Sequence, residues 1–215
     1  MRRGTGRALA GAVLAAVALA GCSSSAEGDA GAWTSSDGTG KNGDRGIGRP
    51  AAKGVELGGP GSACPLPVTF DLAKDWKPQA VEVEPGSGAA ELAEQGTVTL
   101  VCEIDAKPAG NIGYLRVWAG TESGGDPRAT LEAFVADEPN TVEAAYERTR
   151  AGSAAAVEVT YTVRDELLDG SKTERAFAVS TPEGPVVVHL GGLDPEEHRQ
   201  MLPAYELAKK SLALG

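Results

Sequence analysis

Three thiols, two imidazoles and a large excess of carboxylates are the reactive groups of this chain, and their spacing decides what they can do. His189 and His198 are its two histidines. A zinc site would have to recruit both with a carboxylate such as Glu197, and the His-Glu-x-x-His spacing that sets two imidazoles on one helix face does not occur. His189 as the base of a serine hydrolase would need a marked nucleophile, but no Gly-x-Ser-x-Gly turn supplies one. Glycoside chemistry would draw on two carboxyl groups across a cleft, from among Glu82, Glu84, Glu103, Asp105, Glu158 and Asp165. In so acidic a chain the ordinary role for each is a solvated surface group. The phrases Gly124-Gly125-Asp126-Pro127 and Gly191-Gly192-Leu193-Asp194-Pro195 place glycines ahead of a helix, the setting of a phosphate cradle. Against that reading, each aspartate is poised to occupy the free amides, Glu196 and Glu197 repel an anion, and no P-loop lysine follows. These residues predict no catalytic set, no metal site and no cofactor; both histidines are expected to be structural or at the surface.

Cys22 stands in a different setting. Arg2, Arg3 and Arg7 precede an uncharged run from Ala8 to Ala20 that is thirteen residues long. A span needs roughly 20 residues, so the run predicts a cleaved signal peptide. It closes on Leu19-Ala20-Gly21-Cys22 with a serine-rich stretch behind it. This pattern resembles bacterial lipoprotein signals, in which the cysteine becomes the first mature residue and carries a diacylglyceryl thioether. The resemblance implies removal of residues 1–21, lipid on Cys22, and anchoring to the outer face of the cell membrane, with about 0.8 kcal/mol for each buried CH₂. Arg2-Arg3 leaves twin-arginine export open; since no Phe-Leu-Lys follows, the general secretory route is expected.

Cleavage removes three arginines and no acids, taking the net charge from −10 to near −13. Such acidity argues against nucleic acid as a partner and against electrostatic adhesion to anionic lipid, so lipid must do the anchoring. With Cys22 acylated, Cys64 and Cys102 remain, and an even pair outside the cytoplasm predicts a disulfide. Residues 22–62 are glycine-rich with few aliphatic residues and are expected to be a disordered linker, holding the domain on average about 35 Å from the lipid. Trp33 is the one aromatic in it.

Residues 63–215 suffice for a single domain. Turn residues delimit strands at 68–72, 80–83, 97–105 and 112–119, with a turn around Asp75-Trp76-Lys77-Pro78. A helix should run from Pro127 to about Asp137 with Asp126 as its cap, and Thr141 to Arg150 reads as a second short helix. Val157, Val159, Tyr161 and Val163 alternate with Glu158, Thr160, Thr162 and Arg164, which predicts a strand with one wet face. Two further strands, 173–181 and 186–190, complete an antiparallel meander. The last helix begins at Asp194-Pro195 and carries Met201, Tyr205, Ala208 and Leu212 as one stripe, with Pro203 expected to kink or restart it. Trp76 and Trp118 are expected in the core.

The fold class is therefore α+β, an antiparallel sheet with helices packed on it. The order of elements resembles the Mog1/PsbP-like α/β/α sandwich found in actinobacterial lipoproteins similar to LpqN and LpqT. Phe70 with Trp76, Leu131-Glu132-Ala133-Phe134, Ala176-Phe177-Ala178-Val179 and the closing helix carry the likeness across about residues 64–215. Members of that fold generally act as binding or accessory proteins, so the resemblance implies a non-catalytic role at the cell envelope. Its partner would be an envelope protein or small ligand. The alternatives are an envelope hydrolase using acidic residues and a small-ligand or solute-binding lipoprotein.

Overall fold

The computed structural model describes residues 49–84, 86–165 and 170–215. Cys22, Trp33 and the signal segment lie outside the described residues, as do residues 166–169 between the strands expected at 157–163 and 173–181. Two antiparallel sheets form. β1 (Lys53–Leu57), β2 (Val68–Ala73) and β11 (Ala213–Leu214) make the smaller, in the order β1-β2-β11. The larger contains β3 (Lys77–Ala80), β4 (Glu94–Gln95), β5 (Val98–Asp105), β6 (Gly113–Ala119), β7 (Thr141–Ala151), β8 (Ala154–Asp165), β9 (Gly170–Thr181) and β10 (Gly184–Gly192). Its order is β3-β5-β6-β10-β9-β8-β7, with β4 sharing the β5 edge with β3. The helices are α1 (Gly88–Leu92), α2 (Pro127–Ala136) and α3 (Pro195–Ser211).

Strand alternation builds two cores, one on each face of the large sheet. Along β9, Ala176 and Ala178 point toward Leu131 and Phe134 of α2, while Phe177 and Val179 point toward Met201, Ala204, Tyr205 and Ala208 of α3. The fold is thus α+β with helices packed on the sheet, and β2 adds Val68, Phe70 and Leu72 to the α3 side. Both long helices start as their sequences dictate: Asp126 accepts from the amides of Arg128 and Ala129, Asp194 from those of Glu196 and Glu197, and a proline follows each cap. The α3 stripe of Met201, Tyr205, Ala208 and Leu212 is buried, as are Trp76 and Trp118.

Five expectations need correction. The expected linker 22–62 overlaps the fold, because Lys53–Leu57 pair with β2 and the amide of Lys74 donates to the Ala52 carbonyl at 2.7 Å. Four of the five β1 residues are exposed, so the strand carries no apolar alternation to reveal it. The strand expected at 80–83 lies instead at Lys77–Ala80, where Pro78 is tolerated because β3 is an edge. Thr141–Arg150 is strand rather than helix: β8 needs a partner on its outer edge, and β7 supplies it from Thr141↔Val163 to Ala151↔Ala154. The wet face of β8 is not wet at Glu158, which lies against α3. Pro203 does not interrupt α3, which runs unbroken through Ser211.

β7 is an edge strand with an irregularity. Its register with β8 shifts between Val142 and Ala145, and Glu143 sits in the left-handed region at φ 56°. At the other end Gly152 turns the chain back into β8 at φ +52°, and a Cβ there would lie 1.8 Å from the Leu212 carbonyl oxygen. Glycine is required, and its amide donates to the Lys209 carbonyl at 2.8 Å, docking the hairpin on α3.

Candidate functional site

The Cys64–Cys102 disulfide is present, with Cα atoms 5.9 Å apart. Cys64 lies between β1 and β2 and Cys102 on β5, so the bond joins the small sheet to the large one; both residues are buried. Gly58, at φ +103°, lets the preceding turn fold back on β2, since a Cβ there would lie 1.9 Å from the Val68 carbonyl oxygen.

The meander register assembles a polar cluster that no local motif announces. Tyr161 on β8 stands opposite Glu174 on β9, and His189 on β10 lies on the same face. The Glu174 carboxylate accepts from the Tyr161 hydroxyl at 3.0 Å, contacts His189 Nε2 at 2.8 Å and pairs with Lys172 Nζ at 2.5 Å. Phe134 of α2 covers the imidazole with ring centroids 5.5 Å apart. Burial favours the neutral acid, but His189 and Lys172 more than offset it and hold Glu174 well below the usual carboxylate range. Burial raises the Tyr161 phenol far above its ordinary value, with Glu174 adding to the effect. Glu138, just beyond α2, is also pushed up, by burial and by the charge of Glu174. His189 Nδ1 is buried without a partner. Side-chain exposures of 6% for His189 and 3% for Glu174 close this cluster to a substrate.

A second carboxylate is held on the opposite face. Glu158 accepts from the Tyr205 hydroxyl at 2.7 Å and from Lys209 Nζ at 2.8 Å, so that α3 is fixed to β8 by one phenol and one ammonium. Burial, then Glu158, drives the Tyr205 phenol up. His198, in the first turns of α3, is 4% exposed, and burial followed by the charge of Arg175 lowers its pKa to about 4.

The other carboxylates considered from sequence disperse. Glu103 pairs with Arg116 at 2.7 Å, Asp105 accepts from the Lys107 amide, and Glu82 and Glu84 are exposed after β3. The glycine phrases 124–127 and 191–195 are occupied by their own aspartate caps. Among the described residues no three His, Cys, Asp or Glu side chains converge as metal ligands.

Concave surface lies elsewhere, along the outer side of α3. Residues 49–51 run over Pro203 and leave a hollow on each flank. One, of about 370 Å³, is lined by Lys74, Asp75, Trp76, Asn111 and Gln200; the other, of about 350 Å³, by Arg199, Leu202, Leu207 and Lys210. Both include Arg49, Pro50, Ala51 and Pro203. Nothing in the sequence points to these hollows, because they depend on β1 joining the domain.

Among the described residues no helix is long and apolar enough to cross a membrane. Residues 34–212 match the model of a family described as an uncharacterised lipoprotein. No curated protein matches the chain.

Proposed function

Because the chain belongs to this uncharacterised lipoprotein family, we propose that lipid on Cys22 holds it at the extracytoplasmic face of the cell membrane, where its domain is a non-catalytic binding or accessory protein. The family match and the Leu19-Ala20-Gly21-Cys22 sequence support the anchoring. One observation carries the binding role: the acid–imidazole cluster is shut away from solvent, whereas two open hollows of about 370 and 350 Å³ lie on α3 beside the segment that arrives from Cys22. The order of strands, helix, meander and closing helix also supports the Mog1/PsbP-like likeness, and with it kinship to the actinobacterial lipoproteins similar to LpqN and LpqT.

A hydrolase reading rests on the Glu174–His189 contact. The test is to screen the exported protein against ester, glycoside and peptide substrates. No turnover is expected. Reproducible turnover abolished by Glu174→Gln, in a variant that still folds, would overturn the non-catalytic reading in favour of the enzyme.

A further inference from the structure

From the two hollows flanking the Arg49–Ala51 strap, we infer a binding site for a single-chain anionic amphiphile drawn from the membrane, its tail against α3 and its head on the Trp76 side. The inference rests on the anchored binding role and names its ligand class.

The chemistry divides as such a ligand requires. The α3 hollow presents Leu202, Leu207, Pro203 and Pro50, an apolar lining suited to an alkyl chain. The other is lined by Trp76, Asn111, Gln200 and Lys74, a more polar set suited to a head group. Volumes of about 370 and 350 Å³ fall within the range of small-ligand sites, roughly 300–1,000 Å³.

Charge gives the sign of the head. The protein carries 30 acidic residues against 20 basic. Even so, the two hollows are lined by Arg49, Lys74, Arg199 and Lys210 against Asp75 and Glu206. Arg199 is engaged by Glu196, and Glu206 is drawn toward Arg175 at 3.5 Å. Arg49, Lys74 and Lys210 form no ion pair among the described residues. Unpaired cations around an apolar hollow in an acidic protein complement an anion on a hydrocarbon chain.

Position supplies the source. Arg49 lines both hollows and is 27 residues from Cys22, so the lipid anchor confines the site to within about 95 Å of the bilayer even at full chain extension. The strap is fixed where Ala52 meets Lys74, which holds residues 49–51 at the rim.

The test uses the mature full chain carrying Cys22→Ser, so that its own acyl chains cannot fill the site. Lauroyl lysophosphatidylglycerol is titrated below its micelle concentration, with lauroyl lysophosphatidylcholine as the zwitterionic control and glycerol phosphate as the head without a tail. Saturable binding of one anionic lysolipid per chain is expected, at least tenfold tighter than the zwitterion, with no binding of glycerol phosphate. The double variant Arg49→Glu, Lys74→Glu, which reverses the free cations of the head-side hollow, should erase the preference between the two lipids. Leu207→Glu should weaken both at least tenfold; because Leu207 also touches the core, the exposed Pro50→Glu provides a second variant that leaves the core intact. Absence of saturable binding, unchanged binding in Pro50→Glu, or glycerol phosphate binding as tightly as the lysolipid would overturn the site. Dimerisation lost in Pro50→Glu, without lysolipid binding, would make the hollow a contact between copies and also overturn it. None of these failures touches the anchoring or the lack of turnover, which are read separately by acyl labelling and by the substrate screen.

Discussion

Tyr161 and Glu174 stand directly opposite each other on β8 and β9, and the phenol donates to the carboxylate at 3.0 Å where neither residue is more than 2% exposed. Tyr161→Phe removes one donor of three and should cost about 1–2 kcal/mol. Glu174→Ala strands the buried Tyr161 hydroxyl and His189 and should cost about 3–5 kcal/mol. Urea denaturation of the two variants checks this ordering, and a larger loss for Tyr161→Phe would contradict it.

Acid should destabilise the domain first through His198. Its imidazole takes up a proton near pH 6.5 once unfolded but only at about 4 when folded. The unfolded chain therefore binds more protons between those values, and stability falls as pH drops from 6.5 to 4, by on the order of 3 kcal/mol. His198→Gln should flatten the profile in that window. Glu174 acts lower: its folded value lies below its ordinary 4.5, so its contribution is intact above pH 4.5 and is lost as pH falls further. A stability profile measured from pH 7 to 3 separates the two; an unchanged slope in His198→Gln would remove the first assignment.

The disulfide closes a sequence separation of 38 residues, for which loop closure predicts about 4 kcal/mol. Cys64→Ala, Cys102→Ala and the double variant should each lose roughly 2–4 kcal/mol, and the three should agree because they lose one shared constraint. Thiol titration of the exported protein should find neither Cys64 nor Cys102 free. Single losses that sum in the double variant would refute a common bond.

Cys22→Ala should leave the chain unprocessed at this site and without fatty-acid label, because cleavage and acylation both depend on that cysteine in the proposed anchoring. Normal labelling of that variant would refute lipidation at this residue.

The helix starts and the central strands were legible because their signals are local. Asp126-Pro127 and Asp194-Pro195 cap helices whatever surrounds them, and Val157, Val159, Tyr161 and Val163 alternate because one face of β8 is core. The cysteine pairing followed from the small number of thiols. β7 was misread because Glu143-Ala144-Ala145 suits a helix and its strand state comes only from the free edge of β8. β1 was missed because it is exposed and pairs with β2 through backbone. The Glu174–His189–Tyr161 cluster spans 28 residues of sequence and becomes visible only when the meander is set in register, two hairpins at a time. The hollows on α3 depend on the course of residues 49–51, which composition assigned to the linker.

The kink in β7 has a bearing on life at a surface. Molecules attached to a membrane meet again and again in two dimensions, and an open, straight strand would invite the next copy to extend the sheet. The register shift at Val142–Ala145 and the left-handed Glu143 bend that edge, while Glu147, Arg148 and Arg150 place charge along the remainder. Such an edge is a poor template for a neighbouring chain. If the chain is lipid-anchored as proposed, copies crowded on one patch of bilayer would not extend one another's sheets through β7.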